Sequence, residues 1–357
     1  MNINYFDEFT HDEWDDAVSL IDEATYFNSS CVIEYFSKMD NVEKNLSFLV
    51  RDNENNFVAV ATMGLSNVDY MEFSFNKANC SSVACSFKLT PSQRRKLLNF
   101  TYSYIDSLAE KFNVKLIRML KYPLTIESNN KKEVSSKYAF ENIKYGFIYR
   151  VDNTLIINLN DSDVEGLFQK VNKYRRQLIR KSIKKGVVVK IFNNNSNKIE
   201  LEKKLNELKL AHLKASGKIT RSVETWNKMS ECLENGNASL FVAYVGNEPL
   251  SYLFCGEFNY MSFGWSQVNI KELERDYSPR HILEWEAIVH YKKELFSFYE
   301  VGERFFTKQF MHNPTEKEIS ISEFKERYGG DLFPKINFIK FYDKNLKEKY
   351  LKKELNL

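Results

Sequence analysis

Ser239-Leu240-Phe241-Val242-Ala243-Tyr244-Val245-Gly246-Asn247-Glu248-Pro249-Leu250-Ser251-Tyr252-Leu253-Phe254 reads as strand, turn, strand. β-Branched and aromatic residues fill both runs, and Gly246, Asn247 and Pro249 bring turn chemistry between them. The chain has the same pattern earlier. Phe48-Leu49-Val50 and Phe57-Val58-Ala59-Val60 flank the polar run Asp52-Asn53-Glu54-Asn55-Asn56, so residues 47–63 predict another hairpin.

Each hairpin is followed by one more extended segment, 83–89 and 260–266. A helix start with proline in its first turn comes next, Thr90-Pro91-Ser92-Gln93 in one half and Ser278-Pro279-Arg280-His281 in the other. A hydroxyl at the N-cap and Pro at the first helical position favour a start there, because Pro lacks an N–H that would be orphaned anyway. Leu97, Phe100, Tyr104, Ile105 and Leu108 give the first helix an apolar face, and Ile282, Leu283, Trp285, Ile288 and Val289 give one to the second. Each helix leads into a strand, 114–120 and 296–301. The duplicated order predicts an α/β (α+β) chain of two tandem domains. That order is similar to the core of GNAT acyltransferase domains. The polar stretch 153–163 marks a boundary, giving domains at 1–152 and 153–357, packed side by side.

At 357 residues, 43% hydrophobic and 28% charged, the chain has material for two cores of ordinary size. Its formal net charge of +3 is too small for a general nucleic-acid surface, so DNA is not an expected partner. The acidic N-terminus has no apolar core of a secretory signal, and no window reaches eighteen apolar residues, so a spanning helix is not expected. The five cysteines form no C-x-x-C pair, so neither a metal site nor a disulfide framework is expected, and a reducing cytoplasm is the natural compartment.

Residues 163–185 predict one helix, capped by Asp161, Ser162 and Asp163 and stopped by Gly186. Lys173, Arg176, Arg180 and Lys184 fall on one stripe of it. Such a stripe is either a solvated face or an anion site, and guanidinium forks suit phosphate. The run Tyr174-Arg175-Arg176-Gln177-Leu178-Ile179-Arg180-Lys181 resembles a basic helix of the FemAB-like transferases. So does Ser322-Glu323-Phe324-Lys325-Glu326-Arg327-Tyr328-Gly329-Gly330, which is similar to that family's closing signature. Residues 218–226 and 314–318 resemble FemAB-like proteins that accompany sugar-modification pathways.

The resemblance implies transfer of an acyl or aminoacyl group to an amine of a cell-envelope or nucleotide-linked precursor. An amino sugar or nonulosonic acid is the favoured acceptor and a peptidoglycan peptide the next. It implies no tightly bound cofactor; the donor is a substrate, acyl-CoA or aminoacyl-tRNA, and tRNA is then a partner. It assigns Arg176 and Arg180 to substrate phosphate and Lys325 to electrostatic stabilisation at the reacting end. Glu300 and Glu303 end the last core strand and are candidate proton acceptors. Ser278, Arg280 and His281, at a helix N-terminus, are candidates for holding the donor's pyrophosphate. This start has no glycine where CoA-using GNAT enzymes carry a glycine loop, which favours the aminoacyl route. Glu284 and Glu286 read as solvated or packing residues. A catalytically inactive GNAT pair acting as a scaffold, and an RNA-binding module, are the alternatives.

Overall fold

A computed structural model describes residues 1–134, 138–270, 276–307 and 313–354. Its elements, in chain order, begin with β1 (Asn2–Tyr5), α1 (His11–Ser19), α2 (Ser30–Ser37), β2 (Val42–Asn45), β3 (Phe48–Arg51), β4 (Phe57–Thr62), β5 (Gly64–Asn67), β6 (Met71–Phe73), β7 (Cys80–Cys85), α3 (Pro91–Lys111), β8 (Leu116–Lys121) and α4 (Ile126–Lys131). Next come β9 (Ile148–Asn158), α5 (Val164–Lys170), α6 (Lys173–Lys184), β10 (Val187–Phe192), α7 (Lys198–Ser216), α8 (Val223–Glu234), β11 (Ala238–Val245), β12 (Glu248–Phe258) and β13 (Met261–Asn269). After these follow α9 (Pro279–Lys293), β14 (Phe298–Glu303), α10 (Glu316–Glu326), β15 (Asp331–Phe341) and α11 (Lys344–Glu354).

The chain divides into two compact units. Met1–Asp152, Thr307–Pro314 and Pro334–Leu357 make the first; Asn153–Phe306 and Thr315–Phe333 make the second. The sequence pattern assigns all of 153–357 to the second domain. The tail departs from it because β15 pairs antiparallel with β8 over 336–341, which carries Ile336 and Phe338 into the first core.

The strands of the two units follow the same plan. In the first the order is β1-β3-β4-β7-β8-β15, and in the second β10-β11-β12-β13-β14-β9. Step for step the pairings are antiparallel, antiparallel, antiparallel, parallel, antiparallel. The predicted hairpins are β3–β4 and β11–β12, and the Pro-started helices are α3 and α9. The third strand of the first half lies at Cys80–Cys85, ahead of the predicted 83–89, and β5 and β6 form a small side ladder between β4 and β7 in the chain.

Thr90 caps α3 with a reciprocal box, its Oγ1 accepting from Gln93 N at 3.3 Å while Gln93 Oε1 accepts from Thr90 N at 2.9 Å. The predicted helix 163–185 is two helices. Val171 is extended and Asn172 leaves the helical conformation, and Asn172 Oδ1 accepts from Tyr174 N at 3.0 Å, so an N-cap restarts the chain as α6. Val171 is buried, and Asn172 N donates to Arg327 O at 2.9 Å, so packing and a hydrogen bond offset the break. Among the described residues no helix is long and apolar enough to cross a membrane.

Candidate active site

The parallel pair in each unit is short. In the second unit β13 and β14 pair only at Met261–Phe298, Ser262–Tyr299 and Phe263–Glu300, and then part. The β12–β13 register shifts at the same level: Cys255 faces Gly264 and Phe254 faces Ser266, leaving Trp265 bulged. A wedge therefore opens between Gly264 and the end of β14. An ideal Cβ on Gly264 would lie 3.3 Å from Glu300 O and 3.5 Å from Tyr299 Oη, so that buried hydroxyl lies beside Gly264, at the side of the wedge.

Tyr299 Oη donates to Glu284 Oε1 at 2.6 Å. Glu284 comes from α9 and is 4% exposed. Burial pushes its carboxyl up to about 7, against the opposing pull of the Tyr299 hydrogen bond and the Lys325 charge. A carboxyl that titrates near neutrality and is joined to a hydroxyl at the wedge can take a proton through that hydroxyl.

Lys325 lies on α10. Gly302, in β14, has φ +122°, and an ideal Cβ there would sit 2.0 Å from Lys325 Nζ. The ammonium thus occupies the place of the side chain that Gly302 lacks. The helix is fixed around it: Arg304 Nε donates to Glu326 Oε2 at 2.9 Å, its NH1 to Ser322 Oγ at 3.3 Å, and Phe305 N to the same Oγ at 3.1 Å. Beyond α10, Gly329 has φ +87°, and a Cβ on it would meet Lys170 O at 2.9 Å, which explains a glycine in the closing signature. Gly302→Ala is expected to displace Lys325 Nζ and to strain the backbone, costing roughly 1–2 kcal/mol of stability. Turnover should fall with it, and a variant with wild-type turnover and melting temperature would show that the lysine does not depend on this gap.

The remaining sequence candidates have definite positions. Glu300 is buried and accepts from the Thr154 hydroxyl, and Glu303 is half-buried at the end of β14, opposite Thr154. Ser278 precedes α9 in a left-handed conformation with no side-chain cap, unlike the hydroxyl cap expected there; its carbonyl accepts from Ser182 Oγ at 3.1 Å. Arg280 lies over the Phe324 ring at 4.6 Å. His281 points into the protein, with Nδ1 3.0 Å from Tyr328 Oη and Nε2 3.3 Å from Arg175 NH1. Since the guanidinium can only donate, Nε2 accepts and Nδ1 carries the proton to Tyr328. Burial, then Arg175 and Arg280, bring the imidazole down to about 3, so it is neutral. Residues 271–275, which precede α9 in the sequence, lie outside the described residues.

Arg176 and Arg180 both turn toward α5. Arg176 NH1 donates to Gln169 O at 2.6 Å and to Val171 O at 3.0 Å, and Arg180 lies over the Phe168 ring at 5.2 Å. The buried arginine of the basic helix is Arg175, which joins Arg280 beside Phe324.

Glu284, Tyr299 and Arg175 escaped the sequence reading. Glu284 shares a helical stripe with His281, Ile288 and Tyr291, all buried, and that spacing is the signal that places it inward. Tyr299 reads as one more core aromatic, and nothing local marks its hydroxyl.

The first unit has the matching strands but a bridged wedge. Its parallel pair ends at Ser81–Leu120. Beyond it Asn142 Nδ2 donates to Ser82 Oγ at 3.2 Å and approaches Met119 Sδ at 3.9 Å, tying β7 to β8. Glu23 Oε2 accepts from Cys85 N at 3.2 Å and from Lys121 Nζ at 3.2 Å, a second tie. Arg94 completes the cluster, 3.0 Å from Glu23 and 2.7 Å from Glu141.

No family model and no curated protein matches the sequence. Solved structures do match the fold. FemX superposes with a TM-score of 0.70 at 14% identity, covering 98% of this chain and 99% of its own. The C-terminal domain of a putative lysylphosphatidylglycerol synthetase from Agrobacterium fabrum gives 0.59 at 8% identity, covering 95% and 92%. A tandem GNAT protein from the clavulanic acid biosynthesis pathway gives 0.54 at 11% identity, covering 95% and 98%. With its two equivalent strand orders and its closing Phe-Lys-x-x-Tyr-Gly-Gly element, this chain has the FemX-like, tandem-GNAT fold.

Proposed function

We propose that the protein is an acyltransferase that moves an acyl or aminoacyl group onto an amine, and that the reaction takes place in the wedge of the second unit. The observation that carries this reading is the Lys325 ammonium seated at Gly302, beside a wedge flanked by the buried Tyr299–Glu284 pair. Acyl transfer needs a positive group where the carbonyl oxygen becomes an oxyanion, and a route for the proton the amine must lose. Lys325 serves the first need. Tyr299 and Glu284 serve the second, with Glu300 and Glu303 as further acceptors at the same strand end. The bridged wedge of the first unit supports leaving chemistry to the second.

The resemblance to FemAB-like proteins favours a nucleotide-linked amino sugar or nonulosonic acid as acceptor, with a peptidoglycan peptide next. Incubation with labelled acetyl-CoA or charged tRNA and a panel of such amines tests the reading. Label on an amine acceptor is expected, and donor hydrolysis alone would count against it. Calorimetry with acetyl-CoA separates the donors: heat would place a pyrophosphate at the start of α9, near Ser278, Arg280 and His281, whereas no heat alongside activity with charged tRNA selects the aminoacyl route.

Arg176 and Arg180 are proposed to bind substrate phosphate. Arg180→Ala is the cleaner variant, since Arg176 also holds the end of α5. Affinity for a nucleotide-linked acceptor is expected to drop by roughly 1.5–3 kcal/mol, the worth of a hydrogen bond to a charged group. Unchanged affinity in Arg180→Ala would return the stripe to a solvated face.

A further inference from the structure

The α7–α8 hairpin of the second unit has an outer face that a solvated hairpin does not need. Leu201, Leu205 and Leu208 bury the inner face of α7. Its outer face nevertheless carries Ile199, 76% exposed, with Leu210 and Leu213 also exposed, and the turn to α8 adds Ile219, 81% exposed, and Val223. Charge is segregated along the same hairpin. Residues 209–223 hold Lys209, Lys214, Lys218 and Arg221 and no Asp or Glu. One carboxylate, Glu224 in the first turn of α8, borders this stretch; the hairpin's others lie outside it, and Lys204–Glu207, Lys228–Glu231 and Lys198–Glu234 pair at 2.9, 2.7 and 2.8 Å. Arg221 turns inward, its guanidinium 5.2 Å from the Trp226 ring and 3.3 Å from Ser266 Oγ, so the outer tip is led by lysines and aliphatic side chains, with Glu224 the carboxylate at its edge.

We infer that this tip docks on an anionic lipid bilayer. Aliphatic side chains gain by entering the boundary between headgroups and acyl chains, and lysines reach back to anionic headgroups along their apolar stems. A tip made for single-stranded RNA would present aromatic platforms and arginines instead. The inference concerns where the protein works and holds whichever donor it uses.

Vesicle co-sedimentation tests it, using the full chain with phosphatidylglycerol–phosphatidylcholine vesicles and with phosphatidylcholine alone. Binding to the anionic vesicles that weakens with salt is expected. The triple variant Lys209→Gln, Lys214→Gln, Lys218→Gln should bind roughly 100-fold more weakly, about fivefold per lysine. Ile219→Ser with Leu213→Ser should also lose binding, with melting temperatures kept because these side chains are exposed. Ile219→Trp gives an independent reading, a blue shift of the new indole's emission on anionic vesicles. No binding to anionic vesicles, wild-type binding by the lysine variant, or an unshifted emission from the Ile219→Trp variant would overturn the proposal. Retention of a labelled RNA that the lysine variant loses, without vesicle binding, would replace it with a nucleic-acid surface.

Discussion

Replacing Lys325 by Met is expected to lower turnover by roughly 10²–10³, the loss typical of one preorganised oxyanion donor. The methionine keeps an unbranched apolar stem of similar reach and removes the charge. The seat is held by other groups: Arg304 ties α10 through Glu326 and Ser322, and Gly302 leaves the space open. Acceptor affinity and melting temperature should therefore change little. An ordinary half-exposed lysine would behave differently, with turnover within about twofold and stability within about 0.5 kcal/mol. Turnover at saturating substrate separates the two outcomes, and near-wild-type activity would remove Lys325 from the mechanism.

Glu284→Gln is expected to move stability and activity in opposite directions. The folded carboxyl titrates near 7 and an unperturbed one near 4.5. Raised in the folded state, it contributes stability that is fully present below about pH 4.5 and is lost as pH rises toward 7. Above that, holding the charge in the core costs about 3 kcal/mol, at 1.36 kcal/mol per pKa unit. Glutamine keeps an acceptor for the Tyr299 hydroxyl and carries no charge. The variant should melt higher than wild type at pH 8, match it near pH 4.5, and show a flatter profile between. Turnover should fall by about 10²–10⁴, as when a general base is lost. Parallel pH profiles of melting for the two proteins would show that Glu284 is not the buried titrating group. A normal rate with altered melting would confine it to packing.

Much of the fold was legible because its signals are local. The 239–254 hairpin and its counterpart at 47–63 announce themselves by turn residues between β-branched runs, and Thr90-Pro91 and Ser278-Pro279 mark helix starts. The path of the tail was not legible, since β15 finds its partner in β8, more than half the chain away. The break at Asn172 was hidden by apolar spacing that continues through it, although an Asn before a fresh helical run is an N-cap signal. The site divides in the same way. Lys325 stood out through its neighbours Phe324, Tyr328, Gly329 and Gly330. Glu284 did not, because a glutamate on a helix reads as solvated unless its whole stripe is buried, and that burial comes from Tyr299 and the sheet. Gly302 looks like any strand-end glycine until its positive φ and the ammonium beside it are seen.

In the proposed reaction the donor's acyl group enters the wedge of the second unit. A donor that supports transfer, made with a photoreactive diazirine on its acyl group, can be crosslinked and the labelled residues mapped by mass spectrometry. Labels should fall on residues 264–267, on 299–303 and on Lys325, and should be competed away by the unmodified donor. Competable labels on 81–85 and 119–122, beside the bridged wedge of the first unit, would contradict it.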